Sequence, residues 1–297
     1  IARSTPRADF FGTPADRALW EGPIGPLTAL NATSDGLARA WARAKIAGQL
    51  AEERQSDVLP YINTAQTAAD MLSIIKAHGN EKLLYWGFSY GSILGSTYAS
   101  MFPNNIERLV IDGVPDIESY QTLHSNSLRD TAKTMDAFYT TCHAAGSMGC
   151  AFYAPTPELI AANLSALYAS VRARPVPVRT AISYGLVDYS RLRATVFTSL
   201  YMPWATWSTL ATALADLARG NGTGLYAMLE TPPFECDCGK EDLTSVIEGV
   251  ITVSCNDGDA VPQDFEQLEK YFKETTTKSE WAELWDGLKM SCVWVFL

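Results

Sequence analysis

Between Leu83 and Phe102 the sequence reads LLYWGFSYGSILGSTYASMF, with Ser89 two residues after Gly87 and two before Gly91. A serine hydroxyl is a weak nucleophile unless it is exposed, set beside a base and supplied with donors for the oxyanion its attack creates. The G-x-S-x-G spacing suits a nucleophile elbow. In that turn a strand stops abruptly, the serine is strained and a helix starts behind it, so side chains at either glycine position would collide with neighbouring backbone. LLYWG is short and apolar at nearly every position, as a buried parallel strand is. Ile93, Leu94, Thr97, Tyr98 and Met101 then recur with helical spacing as far as Pro103. Ser89 is therefore the candidate nucleophile, and the N–H of Tyr90, at the start of that helix, a candidate oxyanion donor. The competing reading is a glycine-rich strand-to-helix turn with an idle serine.

The partners such a serine needs are not evident nearby. The expected order downstream is an acid and then a histidine after the last strand. His78 precedes Ser89 and lies in the last turn of a helix, where a cation complements the dipole. His124 (in SYQTLHSNS) and His143 (in TTCHAAG) follow it, but neither comes after a strand-plus-acid pattern, and each is open to a solvated or packing role. Asp112 and Asp116 close a second strand and are open either to service as the triad acid or to capping the turn. A second oxyanion donor usually comes from a glycine-rich loop, and no GG pair precedes Ser89.

The elements around the elbow follow from periodicity. A helix is expected over Ala38–Glu53, and another begins at Asn63, a good N-cap with Gln66 three residues on, and closes at Gly79. RLVIDG, ending at Gly113, reads as a second buried strand. Helix, strand, helix and strand within about fifty residues imply a parallel sheet with crossover helices, hence an α/β class. After Pro115 long helical patterns follow one another: Ser119 to Ala145, a helix opening at Thr156 with Pro157 in its first position, Tyr189 to Leu200, and Trp204 to Arg219. PVPVRTAISYG between them is a loop or hairpin. VITVSC is open to a strand or a buried helix segment, and amphipathic helices are expected over Phe265–Lys273 and Lys278–Met290.

Composition narrows the partners. The chain has 297 residues, 47% of them hydrophobic, enough for a full core or a core with a subdomain. Its formal net charge of −10 repels phosphate backbones and anionic lipid, which argues against nucleic acid as a partner. No apolar run approaches the ~20 residues of a membrane-spanning helix. The six cysteines and three histidines form no metal-binding spacing, so no metal or other cofactor is expected. An even cysteine count without a metal pattern favours disulfides. With three sequons, at Asn31, Asn163 and Asn221, this points to a secreted, glycosylated protein.

The stretch YINTAQTAADMLSIIKAHGNEKLLYWGFSYGSILGSTYASMFPNNIERLVIDGVPD, Tyr61 to Asp116, resembles the secreted tripeptidyl-aminopeptidase-like serine peptidases, relatives of proline iminopeptidase in the α/β-hydrolase superfamily. Looser similarity runs through YGLVDYSRLR, the Trp204–Asn221 region with its ARGNGT, and SCNDGD at Cys255, and the opening IARSTPR is similar to the residues just after a DxRG segment in that family. The resemblance implies a partial α/β-hydrolase sheet with a large, mostly helical lid: a core over 1–116 carrying the elbow and a lid over 117–297 whose end is free to re-enter the core. It further implies a serine hydrolase without cofactors, an aminopeptidase acting on peptide substrates and releasing short N-terminal peptides through an acyl-enzyme at Ser89.

In the family the glycine-rich loop lies upstream of the point matching Ile1, and the acid and histidine come after the lid. The chain, ending in CVWVFL, therefore reads as an interior or truncated portion that lacks the triad acid and base. Alternatives are an esterase or other hydrolase of small acyl substrates, or an inactive fragment serving as a binding module. A Cys142–Cys150 disulfide is expected, worth about 2.6 kcal/mol on loop-closure entropy; Cys255 with Cys292 would give about 4 kcal/mol, and the connectivity is otherwise open. Cys236 and Cys238 are too close for a relaxed mutual bridge, so either is open to a partner elsewhere.

Overall fold

The computed structural model describes residues 6–21, 27–122, 125–230 and 246–294. His124, Cys236 and Cys238 lie outside the described residues. The leading segment carries helices α1 (Pro14–Glu21) and α2 (Gly36–Gln55), succeeded by α3 (Thr64–Ala77), β1 (Leu83–Phe88), α4 (Tyr90–Met101) and β2 (Ile106–Asp112). Asn63 caps α3 as its sequence position predicts, its Oδ1 accepting from the Gln66 N–H at 2.8 Å. At the other end of α3, Gly79 takes φ 76°, and the Gly79 and Asn80 N–H groups close onto the carbonyls of Lys76 and Ile75. His78 sits in this cap, away from the elbow.

The strands β1 and β2 pair in parallel, Tyr85 opposite Leu109 and Phe88 opposite Asp112. Among the described residues only one face of the pair is covered. Leu83 and Tyr98 are buried with Ala68, against which Met71, Leu72, Ile75, Tyr85 and Leu94 pack, so α3 and α4 both lie on the same side. On the opposite face Leu84, Trp86, Phe88 and Val110 stand more than half exposed, and the Trp86 and Phe88 rings lie 5.0 Å apart. The strand assignments hold, but burial on both faces is not found among the described residues, because no described element packs there.

The second half is mostly helical: α5 (Ile117–Thr122), α6 (Thr131–Gly149), α7 (Pro157–Ala173), α8 (Tyr189–Ser199), α9 (Pro203–Ala218) and α10 (Thr223–Met228), with the antiparallel hairpin β3 (Val176–Arg179) and β4 (Tyr184–Val187) between α7 and α8. The single helix expected over Ser119–Ala145 is instead two. Asp116 holds the start of α5 through the Ser119 N–H, a 3₁₀ turn spans Ser125–Leu128, and the chain restarts at Asp130. The polar start residues Asp116 and Asp130 outweigh the continuous pattern. Thr156 caps α7, and Asp188 caps α8 by accepting from the Arg191 N–H at 2.8 Å.

One core joins these helices, formed by Phe138, Ile160, Leu164, Leu192, Val196, Leu210, Leu214 and Leu225, and it reaches Trp281 and Leu284. At its centre the almost fully buried Arg193 is held by Glu283 and, at 3.0 Å, by Glu280. The guanidinium lies 3.9 Å from the Trp281 ring centroid, and the Tyr189 hydroxyl donates to Glu283. The chain continues with α11 (Val246–Asp257), α12 (Phe265–Lys278) and α13 (Ala282–Met290). VITVSC is thus helical: Glu248, Thr252 and Val253 fall on one buried face at i, i+4, i+5 spacing, and tertiary packing overrides the β-branched composition. Cys142–Cys150 and Cys255–Cys292 are both bridged, the second tying α11 to the residues after α13.

Candidate active site

The elbow is built from both strands. Ser89 comes after the last residue of β1 and before the first of α4, with φ 52° and ψ −119°. It is the sole non-glycine residue with positive φ among the described residues. For an L-residue that conformation costs about 1–2 kcal/mol, and the surrounding hydrogen bonds hold it. The Ser89 N–H donates to the Asp112 carbonyl at 2.9 Å, and the buried Ser92 hydroxyl donates to the same oxygen at 3.0 Å. The turn is therefore pinned to the end of β2. The Ser89 side chain itself is exposed and takes no hydrogen-bond partner among the described residues.

The two glycines contribute unequally. A Cβ on Gly87 would stand 2.4 Å from the Gly91 carbonyl oxygen, a backbone atom that cannot yield. A Cβ on Gly91 would meet only the Tyr85 hydroxyl, at 3.3 Å. The expectation that both positions collide with backbone is met at Gly87 alone. Gly91 is instead a hydrogen-bond station, its carbonyl accepting from Tyr85 OH at 2.7 Å. Gly113, φ 70°, turns the chain away beside Ser89, where its absent Cβ would lie 3.6 Å from the Ser89 nitrogen.

Tyr90 opens α4, so its N–H points out of the helix start without an intrahelical acceptor. Its side chain belongs to a polar cluster. The Tyr90 hydroxyl lies 2.6 Å from Thr64 Oγ1, which is 2.5 Å from Asp257 Oδ2. Asp257 also accepts from the Thr64 N–H at 2.8 Å and from the Tyr120 hydroxyl at 3.0 Å. Burial pushes the Tyr90 phenol up to about 12, and burial beside Asp257 pushes Tyr120 up as well, so both are protonated donors at neutral pH. Sequence reasoning passed over Thr64 and Asp257. The available signals were the placement of Thr64 beside the Asn63 cap and of Asp257 within SCNDGD.

The other candidates go elsewhere. His143 stacks on Tyr153 with ring centroids 5.9 Å apart and lies 3.4 Å from the Ala154 carbonyl, within the helical half. Asp116 is a cap: Asn126 Nδ2 and the Ser119 N–H hold its carboxylate below the usual range. Asp112 contributes its backbone carbonyl to the elbow. Among the described residues no histidine is bonded to Ser89 and no His, Cys, Asp and Glu cluster could hold a metal. No helix of the described residues is long and apolar enough to cross a membrane.

The comparisons fit this geometry. Over 76 residues, a quarter of the chain, the sequence is 42% identical to the tripeptidyl aminopeptidase of Streptomyces lividans, a stretch covering 14% of that protein. Over 188 residues, 62% of the chain, it is 28% identical to serine protease Hip1 of Mycobacterium tuberculosis, covering 35% of it. The chain thus spans little more than a third of the length of these relatives at most. The alpha/beta hydrolase fold profile matches residues 53–204, more than half of the chain and the segment that contains β1, the elbow and β2. A serine held at positive φ between a parallel strand and a helix is the structural mark of that fold, and the chain belongs to the α/β-hydrolase family.

Proposed function

We propose that these residues carry the nucleophile and lid of a serine aminopeptidase that releases short N-terminal peptides, with Ser89 as nucleophile and the Tyr90 N–H as one oxyanion donor. The observation that carries the reading is Ser89 itself: exposed, strained and fixed at the head of α4. In the first step the Ser89 Oγ–acyl bond forms as the peptide C–N bond breaks. The hydroxyl proton passes to an imidazole base and from it to the leaving amine, and water then releases the acyl peptide by the same route. Among the described residues neither His78 nor His143 is bonded to Ser89, which favours a base, an acid and a second donor supplied by residues outside those described. Residues 1–116 are assigned to the core and 117–297 to the lid, with α11 returning to the core through Asp257.

Peptide substrates are favoured because the relatives are named an aminopeptidase and a serine protease. A secreted, glycosylated protein is supported by the two disulfides and by the exposure of Asn31, Asn163 and Asn221. The test is labelling of the complete protein by a fluorophosphonate probe, with Ser89→Ala abolishing labelling and lowering kcat by at least about 10⁴-fold. Release of tripeptides from tripeptidyl amides, with little turnover of single aminoacyl amides or simple esters, is the expected specificity. Preferential ester turnover would replace the peptidase reading with an esterase. The 297-residue chain alone is expected to leave the probe unreacted; labelling lost in Ser89→Ala would move the base to His124 or His143.

A further inference from the structure

The turn that carries the nucleophile is anchored at each of four consecutive residues, and one anchor differs in kind. Ser89 and Ser92 are held by the Asp112 carbonyl, and Gly91 by the Tyr85 hydroxyl, all within the strand–helix–strand unit. The Tyr90 side chain is held from outside that unit, through Thr64 at the head of α3, Asp257 at the end of α11 and the Tyr120 ring 6.5 Å away. Asp257 lies 193 residues from Thr64 in sequence. The bond directions are determined by proton count. A carboxylate only accepts, so the single Thr64 hydroxyl proton goes to Asp257, and Tyr90 must donate to Thr64. Asp257 takes three donors, the Thr64 N–H, the Thr64 hydroxyl and the Tyr120 hydroxyl.

We propose that Asp257 and Thr64 are positioning residues for the hydrolytic step: by gripping the Tyr90 phenol they aim the Tyr90 N–H at the oxygen that becomes negatively charged during acylation. This rests on the serine-hydrolase reading above. A donor aimed at an oxyanion is effective only within a few tenths of an ångström of its proper place. The sheet fixes the residues on either side of Tyr90, and rotation of the first helical turn about them is what the outside anchor removes.

Steady-state kinetics of the complete protein test this. Tyr90→Phe, which deletes one hydroxyl and leaves the ring, is expected to lower kcat about tenfold, with KM changed less than twofold. Thr64→Val should do the same, Thr64→Ser should restore the rate, and the double variant should be no slower than either single one. Affinity for a peptide boronic acid, which mimics the tetrahedral state, should fall by the same factor while affinity for the tripeptide product stays constant.

Asp257→Asn is the less informative variant, since it also disturbs the start of α3. Wild-type turnover with kcat of Tyr90→Phe within twofold of normal would overturn the positioning role alone. So would a loss shared by KM and product affinity, or rates that track the thermal midpoint. A wild-type protein with neither turnover nor probe labelling would overturn the hydrolase reading and this one with it.

Discussion

The helical half and the elbow sheet handle polar and apolar groups in opposite ways. Among α6–α10 and α13 even a charged side chain is enclosed: Arg193, 2% exposed, is matched by Glu283, Glu280 and the face of Trp281. In the β1–β2 sheet the large apolar residues are the exposed ones, Trp86 at 66% and Leu84 at 64%. A parallel sheet is ordinarily covered on both faces. Among the described residues the backbone strain falls in the thinly clad part, at Ser89, whereas the helical half carries most of the burial. Most of the burial and the strained turn thus lie in different regions, and substitutions in each should read out differently.

The largest effect is expected in the helical half. Arg193→Leu leaves Glu283 buried without its cation and should cost about 3–5 kcal/mol, measured as the shift in urea unfolding. A loss below about 1 kcal/mol would mean that the ion pairs are incidental and that packing alone distinguishes this half. Next is Asp286, buried between α12 and α13 and bonded by Thr275, its carboxyl raised by burial to about 6. The neutral form is the one the fold prefers. Its contribution is therefore complete below the ordinary aspartate value near 3.9 and is lost as pH rises through 6. Asp286→Asn should gain about 2 kcal/mol at pH 7.5 and nothing at pH 3.5. An equal gain at both pH values would refute the titration.

The smallest effect concerns the elbow. Ser89→Gly relieves the positive φ and should raise stability by about 1 kcal/mol while abolishing turnover. A destabilised Ser89→Gly protein would show that the serine is not strained and would weaken the contrast between the two regions.

Local features of the fold were legible because local chemistry sets them. Asn63, Thr156 with Pro157, and the Gly87–Ser89–Gly91 spacing each act within a few residues, and the structure places a cap or a turn at each. The helix over 246–257 was ambiguous because its β-branched residues suit either form, and only burial of Glu248, Thr252 and Val253 decides it. The break between α5 and α6 was missed because periodicity outweighed the polar residues Asp116, Asn126 and Asp130. The strand-to-helix turn at Ser89 and Tyr90 is readable from a motif. Thr64 and Asp257 are not, since what joins them to Tyr90 is the docking of α11 against the head of α3. A threonine after an N-cap and an aspartate before a glycine have no individual signature of that contact.

The β1–β2 pair also has a consequence for the protein outside its finished state. Among the described residues this sheet has two strands, hence two edges and no interior strand, and the exposed row of Leu84, Trp86 and Phe88 lies on its open face. Unpaired strand edges beside apolar side chains are templates for a further strand from any neighbouring molecule. The sheet that carries the elbow is, during synthesis and refolding, also an adhesive surface. Refolding at low protein concentration or with a chaperone should therefore favour the monomer, measured by light scattering.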